Sequence, residues 1–160
     1  VRECGDCSLC CKVVPVPQLE KPKDEWCKHC APGKGGCLIF GQEERPYACG
    51  AYQCMWTRQY DWPEWLKPSQ SRVVFERVTD TIMLGTCDPD MPDHWKKSAG
   101  FKRLLKKWAS SGTTVVLRAG DEYHTFLPKG VKPKDVWDTL MEKREAWLHQ
   151  ATPKTSQTSP

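Results

Sequence analysis

Four cysteines within eight residues, Cys4, Cys7, Cys10 and Cys11, restrict what this chain can fold into more than any other feature. Cys27, Cys30, Cys37, Cys49 and Cys54 follow before residue 55, and only Cys87 stands outside this block. A two-residue gap lets a chain curl so that both sulfurs face one centre, which is why such pairs recur in zinc and iron–sulfur sites. Thiolates are soft donors and select zinc, cuprous copper or iron–sulfur centres over magnesium or calcium. A disulfide framework is the alternative, because ten is an even number and a secreted chain would oxidise its thiols. Small disulfide scaffolds, however, need staples because they lack a core, and 160 residues is well above their size. Metal binding is the expectation.

Hydrophobic residues make up 39% of the chain and eight residues are tryptophan, so a modest core is available. The cysteine block has few aliphatic residues, and its apolar burial alone would not offset the entropy of ordering it. That block is therefore expected to depend on metal for its fold. Composition divides the chain into a cysteine-cluster region over 1–60, a Trp- and Pro-bearing connector over 61–71 that wraps the surface, a small lobe over 72–150, and a polar, disordered tail over 151–160. The net charge of +4 is mild and names no partner. No stretch approaches the roughly 20 apolar residues that span a bilayer, and no signal peptide is visible. A reducing cytoplasm, which keeps thiols free for metal, is the expected location.

Short helical pieces are expected near 4–12 and 47–58. From residue 72 the pattern becomes regular. Segments 72–78 and 81–85 read as a hairpin around Thr79 and Asp80. Asp93 is placed to cap a helix over 94–110, with Phe101, Leu104, Leu105 and Trp108 on one face and Gly112 as the stop. Segments 113–118 and 122–127 form a second hairpin around Gly120 and Asp121. Pro133 suits the first turn of a last helix reaching about residue 149, with Val136, Leu140 and Trp147 inward. The expected class is α+β, a metal-bound cysteine block followed by hairpin, helix, hairpin and helix.

The leading Cys4, Cys7, Cys10 and Cys11 run is followed by Trp26 and Cys27, Gly36 and Cys37, Arg45 and Pro46, Cys49, and Cys54 with Trp56. That series resembles the CxxCxxCC cysteine-cluster family, often called YkgJ-like and described as a zinc- or iron-chelating domain. A related cluster occurs in flagellin lysine methylases, where the resemblance would imply an iron–sulfur centre. The match covers residues 4–56 and implies a ligand set rather than a reaction: Cys4, Cys7, Cys10, Cys11, Cys27, Cys37, Cys49 and Cys54. The family pattern does not require a cysteine at Cys30, which reads as a spare thiol or an extra ligand.

Eight thiols suffice for two tetrahedral four-sulfur zinc sites, or for one iron–sulfur cluster and one zinc. The tetrahedral arithmetic puts zinc first, with one or two ions per chain. Four-thiolate zinc is ordinarily structural, since no position stays open for substrate, which argues against hydrolytic catalysis. No HExxH, phosphate loop or serine-nucleophile pattern appears, so an enzyme is not the expectation. An iron–sulfur redox protein is the second reading. His29 reads as an exposed neighbour rather than a needed ligand, and Arg45 as a cation offsetting thiolate charge. Cys87 reads as an ordinary buried thiol. Lys96, Lys97, Lys102, Arg103, Lys106 and Lys107 make a basic stretch over 96–107. Such a run is usually a solvated face; contact with nucleic-acid phosphates is the third reading.

Overall fold

The computed structural model describes residues 2–33, 36–52 and 54–151. The tail expected over 151–160 falls, beyond Ala151, outside the described residues, as does the side chain of Trp147. In chain order the elements are α1 (Cys10–Val13), β1 (Cys30–Ala31), β2 (Gly36–Cys37), α2 (Tyr47–Ala51), α3 (Met55–Arg58), α4 (Pro68–Ser71), β3 (Val73–Arg77), β4 (Ile82–Cys87), α5 (Ala99–Ser110), β5 (Thr114–Ala119), β6 (Glu122–Phe126) and α6 (Pro133–Ala151). The class is α+β, and the order from β3 onward is hairpin, helix, hairpin, helix.

The two hairpins join into one four-stranded sheet of order β3-β4-β5-β6. The outer pairs are antiparallel, while β4 and β5 run parallel with Leu84 opposite Val116. A parallel pair cannot be closed by a tight turn, so the chain between them must cross over, and α5 is that crossover. Strands inside such a layer are covered on both faces and read as continuous apolar runs, as Val115, Val116 and Leu117 do.

Period-two alternation sorts these side chains between two cores. On one face Val73, Phe75, Met83, Val115 and Leu117 meet Phe101 and Leu105 of α5. Trp62 stacks on Trp108 at 5.1 Å and meets Phe75 edge-on at 5.6 Å. On the other face Ile82 and Val116 meet Val136 and Leu140 of α6, while Val74 packs on Leu9 and Val13 beside α1. Gly85 shows how tight the first core is. A Cβ there would sit 2.8 Å from Cε1 of Phe75 and closer still to Leu117, distances no methyl group tolerates.

Two expectations need correction. Segment 61–71 does not simply wrap the surface: Trp62 and Leu66 are buried in the sheet's core, while Trp65 stays exposed. Apolar side chains beside prolines read as loop, but here a single turn over Glu64–Leu66 drives Leu66 inward. The helix expected over 94–110 is broken. His94–Lys97 is a separate 3-10 turn that buries Trp95, and Asp93 pairs with Lys96 instead of capping. Ser98 caps α5, its hydroxyl accepting the N–H of Phe101 at 3.1 Å.

The cysteine block is packed onto this sheet. Met55 and Trp56 of α3 belong to the same core as Phe75. The buried Lys12 ammonium of α1 donates to Asp88, also buried, at 2.8 Å and reaches Asp90, both beyond the end of β4. Arg118 of β5 forks onto Asp24 with contacts of 2.6 and 2.7 Å. Buried ion pairs of this kind hold one geometry because separating them strands a charge.

Candidate metal centre

Turns and short helices set each thiol of the block. The Cys7 N–H donates to the Cys4 carbonyl at 3.0 Å, closing a tight turn through Gly5, whose φ of 58° suits glycine. The Cys30 N–H donates to Cys27 in the same way at 2.9 Å, so the Cys4/Cys7 and Cys27/Cys30 pairs are curled as their spacing demands. The N–H of Cys27 donates to the carbonyl of Cys11 at 3.1 Å and ties the second pair to α1. Cys30 and Cys37 lie opposite each other across β1 and β2. Cys49 sits in α2, and Cys54 immediately precedes α3.

All ten cysteines are free thiols. Their mutual influence reveals who neighbours whom. Cys30 neighbours both Ser8 and Cys11, and Cys11 neighbours Cys10 as well. The contact with Cys10, then burial, pushes the Cys11 thiol far up. Burial and the nearby Cys11 push Cys30 up to about 12. Burial also raises Cys49, with Cys11, Cys27 and Cys37 adding to it and Arg45 opposing. A second neighbourhood involves Cys4, Cys7 and Cys54. Burial raises Cys4, helped by Cys7 and Cys11. Cys54 rises to about 11 through burial, with Cys7 and Cys4 adding and the N–H groups of Trp56 and Thr57 opposing. A thiol raised by neighbouring cysteines is one whose negative form they would repel; a bound cation removes that conflict.

Three cations already face these groups. Lys21 is buried, donates to the carbonyls of Lys12, Val14 and Pro22 at 2.7 to 2.9 Å, and lies near Cys11 and Cys27. Lys67 and Arg45 both favour the Cys4 thiolate. Arg45 also donates to the Cys49 carbonyl at 2.9 Å and lies 4.5 Å from the centre of the Phe40 ring.

The structure therefore brings Cys11, Cys27, Cys30, Cys37 and Cys49 into one neighbourhood and Cys4, Cys7 and Cys54 into another. Cys10 bridges towards the second, packing with Cys54 beside Val13 and Val74. Among the described residues no three His, Cys, Asp or Glu side chains already stand as a closed ligand set for a metal ion. The thiols neighbour one another without converging on a common point. Sequence reasoning passed over Ser8, Lys21 and Lys67, for which nothing but position speaks. It set Cys30 aside, although the spacing from Cys27 was a usable signal. Half-buried His29 contributes only its carbonyl, to the N–H of Leu38 at 2.8 Å. Cys87 is 2% exposed among the sheet's apolar side chains, where burial pushes it up to about 12.

No family model, curated protein or solved structure matches this chain. Among the described residues no helix is long and apolar enough to cross a membrane.

Proposed function

We propose that this protein binds one or two metal ions, zinc foremost, through the thiolates of its cysteine block. The observation that carries the reading is the pair of thiol neighbourhoods meeting at Cys10 and Cys11, each holding thiols pushed up in part by neighbouring cysteines. The donor set suits a soft or borderline ion. Ligands are drawn from Cys4, Cys7, Cys10, Cys11, Cys27, Cys37, Cys49 and Cys54, with Cys30 added by its place beside Cys11. Lys21, Lys67 and Arg45 would offset the −2 charge of a four-thiolate zinc site and tune it from outside. The bound ion would serve as a structural staple or as cargo in metal handling, in a reducing compartment such as the cytoplasm. The cysteine series that resembles the CxxCxxCC family supports the same ligands.

An iron–sulfur centre is the second reading. The N–H groups of Trp56 and Thr57, which pull the Cys54 thiol down, favour it, since nearby donors tune cluster potentials. Purification from the native host without oxygen, followed by elemental analysis and a visible spectrum, tests both. Close to two zinc equivalents and no colour are expected. Iron with visible absorption would transfer the proposal to a redox centre. A folded, metal-free native protein with paired cysteines would end it.

A further inference from the structure

A cavity of about 330 Å³ lies between Val14 and Pro15, the sheet face of β3 to β5, and α6. That volume lies in the range of small-molecule sites. Its walls combine apolar side chains, Leu84, Trp137 and Leu140 prominent among them, with charged ones. Trp137 is held by an edge-on contact with Tyr123 at 4.8 Å. The Glu76 carboxyl is recessed in this cavity and has no hydrogen-bond or ion-pair partner among the described residues.

Arg118, the cation that would be expected to satisfy Glu76, is committed elsewhere. Its guanidinium holds both oxygens of Asp24 and also donates to the Gly120 carbonyl at 3.2 Å. Burial pushes the Glu76 carboxyl above its ordinary range, with Arg118 pulling the other way. Such a carboxyl is costly to keep, and an apolar side chain would fill the same space at no such cost. The cavity is also lined by Lys143 and Arg144 of α6, both exposed and without a carboxylate partner among the described residues. A ligand that is only cationic would be repelled by that group, and one that is only anionic would leave Glu76 unanswered.

We propose that this cavity binds a small amphoteric molecule, with an aromatic or branched apolar body, a basic nitrogen for Glu76 and an acidic group for the cations. Charge complementarity selects that occupant, and the aromatic side chains favour a planar ring. The inference stands apart from the metal proposal, since no cysteine lines the cavity.

Three indole probes separate its parts when titrated into the full chain and followed by backbone amide shifts and calorimetry. Tryptophan carries both charges, tryptamine only the amine, and indole-3-propionate only the carboxylate. Tryptophan is expected to bind most tightly and to shift the amides of Leu84 and Thr86. Glu76→Gln, which keeps the shape, should weaken tryptophan and tryptamine about tenfold or more and leave indole-3-propionate unchanged. Met141→Trp, on an exposed position lining the cavity, should weaken all three while amide shifts elsewhere stay as in the parent. Equal affinity for the three probes, shifts confined to other surfaces, or undiminished tryptophan binding by Glu76→Gln would overturn the proposal.

Discussion

Cys11 is the residue on which the most physical constraints meet. Its carbonyl holds the Cys27 turn, and its thiol lies between Cys10 and Cys30. Cys11→Ser replaces a soft thiolate by a poor zinc ligand and should lower metal affinity by orders of magnitude, measured by competition with a chromophoric chelator. Cys30→Ser should also lose affinity, because its thiol neighbours that of Cys11. Retention of full metal by that variant would return Cys30 to the role of a spare thiol. Cys87→Ser should keep its metal and pay only for a hydroxyl in an apolar core, about 1–3 kcal/mol. The raised thiols also fix the sign of a pH effect. Binding must displace protons held more tightly than usual, so affinity should rise with pH and fall as the solution is acidified. Glu76 gives an independent sign. Its folded pKa is raised, so its contribution to stability is present below the ordinary carboxylate range and lost as pH rises through the folded value. Glu76→Gln should therefore gain stability over the parent near neutral pH and gain little in acid, as thermal unfolding at the two conditions would show.

At the scale of elements, what was legible in the sequence was local. Phe101, Leu104, Leu105 and Trp108 announced α5 by their spacing, and Gly120 with Asp121 announced the second hairpin. The parallel pairing of β4 with β5 was not legible, because strand partners are chosen by the whole core rather than by either hairpin. The cap of α5 was misplaced for a related reason. Asp93 and Ser98 are both competent caps, and burial of Trp95 between them decides that the chain turns twice. Ser98→Ala should cost about 1 kcal/mol of stability in denaturant unfolding. The six basic residues of 96–107 are all exposed, as the solvated-face reading expects. If that face also meets nucleic acid, binding to random-sequence DNA should weaken steeply with added salt; no binding at low salt would leave it a solvated face.

At the scale of the whole molecule, the cysteine block and the sheet share their cores. The positions of the thiols along the chain were legible, but their grouping was not, since it depends on Lys12 meeting Asp88 and on Met55 and Trp56 entering the sheet's core. Lys12→Ala would leave Asp88 buried with Arg72, at 3.6 Å, as its remaining cationic partner among the described residues, and should destabilise the protein by about 3–5 kcal/mol. Because the cores are joined, metal removal should not melt the first 60 residues in isolation. Amide exchange should quicken most around Cys27, Cys37 and Cys49, then spread to α1 and α3, while β4 and β5 stay protected longest.

The central claim is that sulfur atoms of the cysteine block hold a metal ion. X-ray absorption at the metal edge, on protein isolated from its native host under reducing conditions, measures that shell directly. For zinc the account expects four sulfur neighbours at about 2.3 Å and no nitrogen or oxygen shell. A shell of oxygen or nitrogen at about 2.0–2.1 Å, with sulfur missing, would contradict it, whatever the metal content.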